Sequence, residues 1–593
     1  MSDIDDKKIK AENAWKEAHD FDPKDPLFGL TRDQLSGPML TRRATLRLLA
    51  AGGVLTMAHL LPGTGATRLV QAAGTGGTLR CGWSGVAEIV TLDPAKINQV
   101  LQFQVASNIY SGLMHIDSAL VAQGDLAESW EVSEDGTIYT FKLREGVTFH
   151  NGDAFTADDV LFTFNRSKDP EQSIHSKVLA NVNNLEKLND LEVRFTLNKP
   201  QASFLPKALE RASGRAMTIV SKGGLEALGL SQYGLTPIGT GPFKVTEHQL
   251  GQGVVLEKFE NYFDPERPKL DKIIIKPIDG PEPLAAAIQA GDIQYIGGNP
   301  VPAQLVNRFK ENPNLTVDIK PQPGFQSVWI NPWREIMMVS DFNKPLEELK
   351  KEKGFMVRLA LAKALDRDLF VKQALFGYGV PAYGTINPAM GFYYDENIGA
   401  TSQQAFDPDG AKALLASAGY PDGKGFPELE LVTTPSQKRY GLVISNIYKQ
   451  VLGISVKVVT MEFSVQIEKF NKMDFDMRLG GSGGDYDPDD GLIDWMITDS
   501  KFNGPTRDKT KHPFGFFSEA EADAAITAES VTADPAARKA LVQKANLISS
   551  NKVACAFLYH PVDVQVYHNS VNYPAESRIP GLHDFDRVTL TES

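Results

Sequence analysis

Between Gly124 and Arg166 the chain reads GDLAESWEVSEDGTIYTFKLREGVTFHNGDAFTADDVLFTFNR, and few local folds are compatible with that string. Trp130 and Val132 lead into Glu134-Asp135-Gly136, and beyond it Tyr139, Phe141 and Leu143 alternate with Thr140, Lys142 and Arg144. Two runs of period two around an Asp-Gly turn predict a β-hairpin with one buried face. A second turn is expected at Asn151-Gly152, after Val147 and Phe149. Thr156-Ala-Asp-Asp159 has the form of a capping box, with Val160 and Phe164 one turn apart on the helix it opens.

The same string closely resembles the signature of extracytoplasmic solute-binding proteins of the peptide-binding class, which serve ATP-driven importers. The likeness continues through Leu92-Asp93-Pro94, Ile109 to Leu113, Thr236 to Phe243, Asn261-Tyr262 and Pro268 to Asp271. It is carried further by Ala290-Gly-Asp292, Val357 to Arg367, Ala411 to Tyr420 and Leu452 to Val456, so that it spans about Leu79 to the C-terminus. The resemblance implies an α/β, periplasmic-binding-protein-like fold with two main lobes about a hinge and an extra subdomain, three lobes in all. Lobe I is expected over 73–115, 237–331 and 553–593, lobe II over 116–236 and lobe III over 332–552, behind a signal region at 1–72.

At 593 residues the chain exceeds a single core, which independently favours two or three lobes. Apolar residues at 42% and charged residues at 23% are ordinary globular values and argue against extensive disorder. The net charge of -13 stays near −14 when residues 1–72 are left out, and an acidic surface without a basic stripe argues against nucleic acid as a partner.

Thr41-Arg42-Arg43-Ala44-Thr45-Leu46-Arg47 resembles a twin-arginine export motif. Leu48 to Leu61 is a short apolar stretch diluted by Gly52, Gly53 and His59, which suits a signal peptide better than a membrane anchor. Val70-Gln71-Ala72 offers small residues for cleavage after Ala72; the long polar segment Met1 to Pro38 leaves Met1 and Met39 as alternative starts. Thr78-Leu79-Arg80-Cys81 lacks the small residues of a lipoprotein processing site, so a soluble periplasmic protein is expected. Cys81 and Cys555, the only cysteines, fall in expected strands, and the resemblance puts both chain ends in one lobe. A disulfide and two buried free thiols are equally compatible with that placement.

Helix punctuation is clearest in the second half. Asp407, Pro408 and Gly419 bracket a helix over 409–418, Asp366 caps one through Leu375 after an apolar helix over 355–364, and Asp534-Pro535 separates helices over about 519–531 and 535–549. Val254 to Phe259 and Ile273 to Ile278 read as strands, and Pro281 to Ala290 as a short helix. Such alternation points to α/β lobes. Trp333 to Glu352 lengthens the strand-to-helix link usual in the class, and the charged run Glu347 to Lys353 predicts a solvated loop.

The candidate site follows an expected strand, Phe475 to Leu479, in the run Gly480-Gly-Ser-Gly-Gly-Asp-Tyr-Asp-Pro-Asp-Asp-Gly491. Peptide-binding members read roughly Gly-Trp-x-x-Asp here, and their Asp meets the peptide's ammonium group; the resemblance gives that role to Asp485. A desolvated carboxylate needs a cation, which a ligand ammonium supplies. Gly483 and Gly484 permit close backbone approach to an extended ligand, and Tyr486 adjoins them. Ser482 stands where the class has Trp, removing an aromatic wall and pointing to a bulkier or differently shaped ligand; Trp495 is a substitute wall or a core residue.

An acidic surface turn is the plain alternative for this run. Asp485, Asp487 and Asp489 also mimic an EF-hand, but Gly491 falls at position 7 and Met496 at position 12, so no metal is expected. Phe325 to Ile330 resembles the lobe-linking strand that lines the cleft in relatives. That makes Trp329 and Trp333 candidate walls and Asn108, Tyr110 and Tyr383 candidate cleft residues, each against a core or surface role.

No His-Glu-x-x-His or Gly-x-x-x-x-Gly-Lys is present, and the ten histidines pair with no Cys at ligand spacing. Neither catalysis nor a cofactor is expected. The expected activity is capture of a peptide or amine-bearing solute by a monomeric periplasmic protein for delivery to a membrane permease. The alternatives are a non-peptide ligand such as a metal chelate or glycoside, or a periplasmic sensor or chaperone.

Overall fold

Leu79, Cys81 and Trp83 alternate along Thr78–Ser84 (β1) and are all fully buried, so the chain's first strand starts inside a sheet. The computed structural model describes residues 76–84, 88–97, 99–210, 217–298, 301, 303–483 and 486–591. The twin-arginine region, Gly484 and Asp485 lie outside them.

From β1 the chain passes to the hairpin region. Ala127–Val132 (β2) and Ile138–Leu143 (β3) pair antiparallel around the expected turn, where Gly136 adopts φ +68°. Tyr139, Phe141 and Leu143 are buried and Lys142 faces water. The helix Ala157–Lys168 (α1) opens on the expected box: Thr156 Oγ1 accepts from the Asp158 N–H, and the Asp159 carboxylate accepts from the Thr156 N–H. Val182–Asn189 (β4) and Glu192–Leu197 (β5) complete a four-stranded sheet in the order β2-β3-β5-β4. Phe164 of α1 packs edge-on against Phe195 of β5. Arg166, in the last turn of α1, forks onto Asp93 at 2.8 and 2.5 Å with both side chains buried, which fastens this lobe to the first.

The chain then returns to the first sheet through Phe243–Gln249 (β6), Gly253–Lys258 (β7), Lys272–Ile278 (β8), Tyr295–Gly298 (β9) and Leu315–Pro321 (β10). Phe325–Ile330 (β11) enters a second sheet, built with Leu429–Thr433 (β12), Val456–Thr460 (β13), Met477–Ser482 (β14) and Ala556–His560 (β15). Val562–His568 (β16) comes back. The seven-stranded order is β10-β16-β9-β1-β8-β7-β6. The six-stranded order is Val380–Pro381, then β15-β11-β14-β12-β13.

The two large sheets are therefore joined at two places, residues 322–324 and Pro561, and these lie side by side. The Gln322 N–H donates to the Pro561 carbonyl at 3.0 Å, and His560 Nδ1 sits 2.9 Å from the Gly324 carbonyl. A pair of adjacent short links between rigid sheets is the geometry of a hinge. Burial pushes the His560 imidazole down to about 4, so it is neutral at physiological pH.

Three expectations are corrected by this topology. β11 and β15 pair within the six-stranded sheet, so Phe325–Ile330 and Ala556–His560 go with lobe III and not lobe I. Cys81 and the Cys555 next to β15 consequently belong to different sheets; both are buried free thiols. The segment 333–352 is no solvated loop: Met337, Val339, Phe342 and Leu349 are fully buried, and the Phe342 ring lies 5.6 and 5.2 Å from those of Phe514 and Phe517. Its charges pair on the outside, Lys344 with Glu352 and Lys350 with Glu347. The apolar residues between the charges decide the outcome.

The helices Lys353–Ala364 (α2), Pro408–Ser417 (α3), Lys438–Leu452 (α4), Phe463–Asn471 (α5), Ala520–Glu529 (α6) and Pro535–Asn551 (α7) flank the second sheet's connections. Asp407 and Asp534 cap α3 and α7 by accepting from the Gly410 and Ala537 N–H groups. Among the described residues no helix is long and apolar enough to cross a membrane.

Candidate functional site

Two cavities adjoin described residues on either side of Gly484-Asp485, one lined by Tyr486 and a second by Gly481. The first, about 600 Å³, lies between the hairpin lobe and lobe III. Val121, Val132 and Leu205 line it from one side and Phe392, Tyr393, Asp487 and Arg538 from the other. Val121, Val132 and Phe392 are exposed apolar side chains that this cavity brings together. The second, about 520 Å³, sits at the carboxyl ends of β12 and β14, lined by Ser436, Gln437, Gln466, Arg478 and Gly481. Crevices at strand carboxyl ends are where open α/β sheets take ligands.

Arg538 of α7 anchors the first cavity's floor. Its guanidinium grips Asp487 at 2.9 and 2.6 Å, reaches Glu529 of α6 at 3.0 Å and Asp489 at 3.4 Å, and donates to the Tyr393 hydroxyl at 3.3 Å. All four charged side chains are buried. Three carboxylates around one cation leave excess negative charge. Burial, then the Asp489 charge beside it, push the Glu529 carboxyl up to about 9, so Glu529 holds a proton at neutral pH. Asp489 is also raised, by burial and then Asp487, while Arg538 and the Lys207 ammonium of the hairpin lobe act the other way.

Arg478 of β14 is placed differently. Its Nη2 donates to Gln466 Oε1 of α5 at 3.3 Å and its guanidinium lies 4.2 Å from the Phe470 ring centroid, but Nε and Nη1 are buried without a partner. Burial pushes its guanidinium down to about 9, the direction expected of a cation lacking a counter-charge. The two glycines that follow are explained here. A Cβ on Gly480 would lie 2.6 Å from Arg478 Nη2, and one on Gly481 would lie 1.9 Å from the Phe325 carbonyl. Gly480 and Gly481 thus make room for the guanidinium and for the β11 backbone, within a strand and not a ligand-facing loop.

The structure disperses several of the candidate residues. Trp329 is fully buried, stacks on Trp495 at 5.1 Å and donates through Nε1 to the Gly480 carbonyl at 2.9 Å. Trp495 also stacks on Phe502 at 4.6 Å. Trp333 donates to the Phe514 carbonyl at 3.0 Å and packs on that ring. None of the three lines either cavity: Trp329 and Trp495 take the core alternative, and Trp333 is half-buried against Phe514. Asn108 ties the His583 carbonyl and the Phe585 N–H, and Tyr110 donates to the Leu92 carbonyl; both are buried in lobe I. Tyr383 lies under the Arg367 guanidinium at 4.5 Å. Tyr486 lines the first cavity and donates to the Pro580 carbonyl at 2.9 Å, reaching from lobe III to the C-terminal segment. Ser482, at the class Trp position, donates to Asp490 at 2.6 Å.

Sequence reading missed Glu529, Arg538 and Arg478. Arg478 carried a visible signal, a charge flanked by Met477 and Leu479 in an expected strand. Asp487 and Asp489, which mimic EF-hand positions, are committed to Arg538, and among the described residues no group of acids, His and Cys is arranged to hold a metal ion.

Residues 122–504 match the model of bacterial extracellular solute-binding proteins, family 5. The chain is 28% identical over 465 residues to the glutathione-binding protein GsiB of Escherichia coli, covering 77% of this chain and 84% of that one. It superposes on the periplasmic binding protein DppA of Helicobacter pylori in complex with the peptide STSA with a TM-score of 0.67 and 26% identity, covering 88% and 99% of the two chains. The fold is shared with NikZ of Campylobacter jejuni in complex with Ni(L-His), at TM-score 0.63, 24% identity and coverage of 86% and 96%. Carried by a match that includes the hairpin, the 322–324 link and the glycine-rich end of β14, the chain belongs to the family 5 bacterial extracellular solute-binding proteins.

Proposed function

We propose that the protein captures a peptide or other amine-bearing small solute between its lobes and delivers it to the membrane permease of an ATP-driven importer. Closing about the 322–324 and Pro561 links buries the ligand and forms the surface that a permease reads. The observation that carries the ligand reading is the commitment of the neighbouring acids. Asp487 and Asp489 serve Arg538 and Asp490 accepts from Ser482, which supports leaving the ligand ammonium to Asp485, the role that the resemblance implies. Gly483, Gly484 and Tyr486, its neighbours in sequence, are proposed to supply backbone and ring. Relatives named for glutathione and for a bound peptide support this reading, because both ligands carry an ammonium group.

Asp485→Ala is expected to weaken an amine-bearing tripeptide by about 2–5 kcal/mol, the range for breaking a desolvated charged pair. Calorimetric titration of wild type and variant with trialanine and N-acetyl-trialanine checks it. Equal affinities for trialanine in the two proteins remove Asp485 from the site. The protein is further proposed to act as a periplasmic monomer after twin-arginine export. Joint replacement Arg42→Lys and Arg43→Lys should strand it in the cytoplasm, and periplasmic accumulation of that variant would contradict the route.

A further inference from the structure

We infer that the hairpin lobe carries a clasp for lobe III: the turn 202–207 grips the end of α6, and Lys207 supplies the positive charge that the buried Arg538 cluster lacks. The clasp sets how readily the lobes part, and it rests on the reading that they open about the 322–324 and Pro561 links. The Ala202 N–H donates to the Ser530 carbonyl at 2.7 Å, a main-chain bond that crosses from one lobe to the other outside those links. Each side of it is held by its own lobe. Phe204 is fully buried and packs on Tyr139 at 4.8 Å and Phe195 at 5.5 Å, and the Lys207 N–H donates to the Ser203 carbonyl at 2.9 Å. Ser530 directly follows Glu529, the last residue of α6, which Arg538 holds at 3.0 Å.

Charge gives this contact its purpose. With Glu529 protonated, Asp487 and Asp489 face one guanidinium, so the buried cluster keeps one negative charge in excess. Arg538 and Lys207 both act on Asp489 as cations, and Lys207 comes from the other lobe. Bringing the lobes together completes the charge balance inside lobe III, and parting them leaves a desolvated carboxylate short of a cation. Apolar packing does not hold the lobes here. Val121 and Phe392 stand on opposite walls of the cavity of about 600 Å³ and are each 53% exposed, so the walls do not close on one another. A contact made of one main-chain bond and one charge is weak, reversible and screened by salt.

The test is single-molecule energy transfer between dyes on Glu134→Cys and Ala540→Cys, exposed positions on the hairpin turn and on α7, in protein stripped of bound solute. Cys81 and Cys555 are fully buried and stay unlabelled. Raising salt from about 0.01 M to about 1 M shortens the screening length from about 30 Å to about 3 Å, and should move wild type from a short-distance population towards a longer one. Lys207→Gln at low salt should raise the long-to-short ratio about fivefold and lose the salt response, while Lys207→Arg behaves as wild type. In an Asp489→Asn background, Lys207→Gln should change the ratio little. A merely structural lysine would lower the melting temperature of Lys207→Gln and leave its salt response intact. A wild type that ignores salt, a salt response that survives in Lys207→Gln, or an undiminished effect of Lys207→Gln beside Asp489→Asn each overturns the inference. No ligand enters the measurement, so failure to bind trialanine removes the peptide reading alone and these distances still decide the clasp.

Discussion

Arg538 and Arg478 are buried alike and served in opposite ways. Arg538 has three carboxylates within reach and shares a proton burden among them, whereas Arg478 has none and faces a cavity. Burying a charge is tolerable when a partner offsets the lost hydration. At Arg538 the fold itself supplies that partner, and the guanidinium joins α6, α7 and the acidic run that follows β14. At Arg478 the fold supplies only the Gln466 amide and the Phe470 ring. One guanidinium is closed in by ion pairs, and the other is left with a single neutral hydrogen-bond partner.

The largest effect should come from Asp487→Ala. It strips the bidentate partner from Arg538, and a loss of about 3–5 kcal/mol in urea unfolding is expected, against no loss for Arg478→Gln. Similar losses for both would erase the distinction. Gly480→Ala comes next. Its methyl would press on Arg478 Nη2, costing about 1–3 kcal/mol, as read by thermal melting.

A pH series sharpens the other half. Glu529 titrates near 9 when folded and near the ordinary carboxyl value when unfolded, so the folded state binds the extra proton between those limits. Stability contributed by this group is therefore greatest below the ordinary carboxyl range and falls as pH rises towards 9, by at most about 1.4 kcal/mol per pH unit. Glu529→Gln should flatten that slope in melting curves taken from pH 5 to 9. A slope as steep as wild type would place the proton elsewhere. The smallest effect belongs to Tyr486→Phe, which removes the bond to Pro580 and should cost about 0.5–1.5 kcal/mol, detectable as a small drop in melting temperature.

What the sequence disclosed follows the range of the interactions involved. The hairpin around Gly136, the capping box at Thr156 and the capped starts at Asp407 and Asp534 are set by residues within a few positions, and each formed where expected. Membership of β11 and β15 in the second sheet depends on ladder partners far along the chain, which no local period encodes. Trp329 and Trp495, each open in sequence to a wall or a core role, pack in the core for a related reason: whether a Trp next to a glycine-rich strand faces a cleft or a core depends on which helix covers it. Here α5, with Phe470, covers it. The Arg538 cluster gathers acids from 487, 489 and 529, and only the fold brings them to one cation. Arg478 was visible as a charge between apolar neighbours, but its lack of an acidic partner appears only once its surroundings are in place.

The most direct test of a cleft that takes an amine-bearing solute is native mass spectrometry of the exported protein, followed by identification of whatever small molecule it releases on unfolding. The account predicts an added mass from a compound carrying an ammonium group, present in wild type and lost from Asp485→Ala. A released compound with no ammonium group, or equal retention by both proteins, would contradict it.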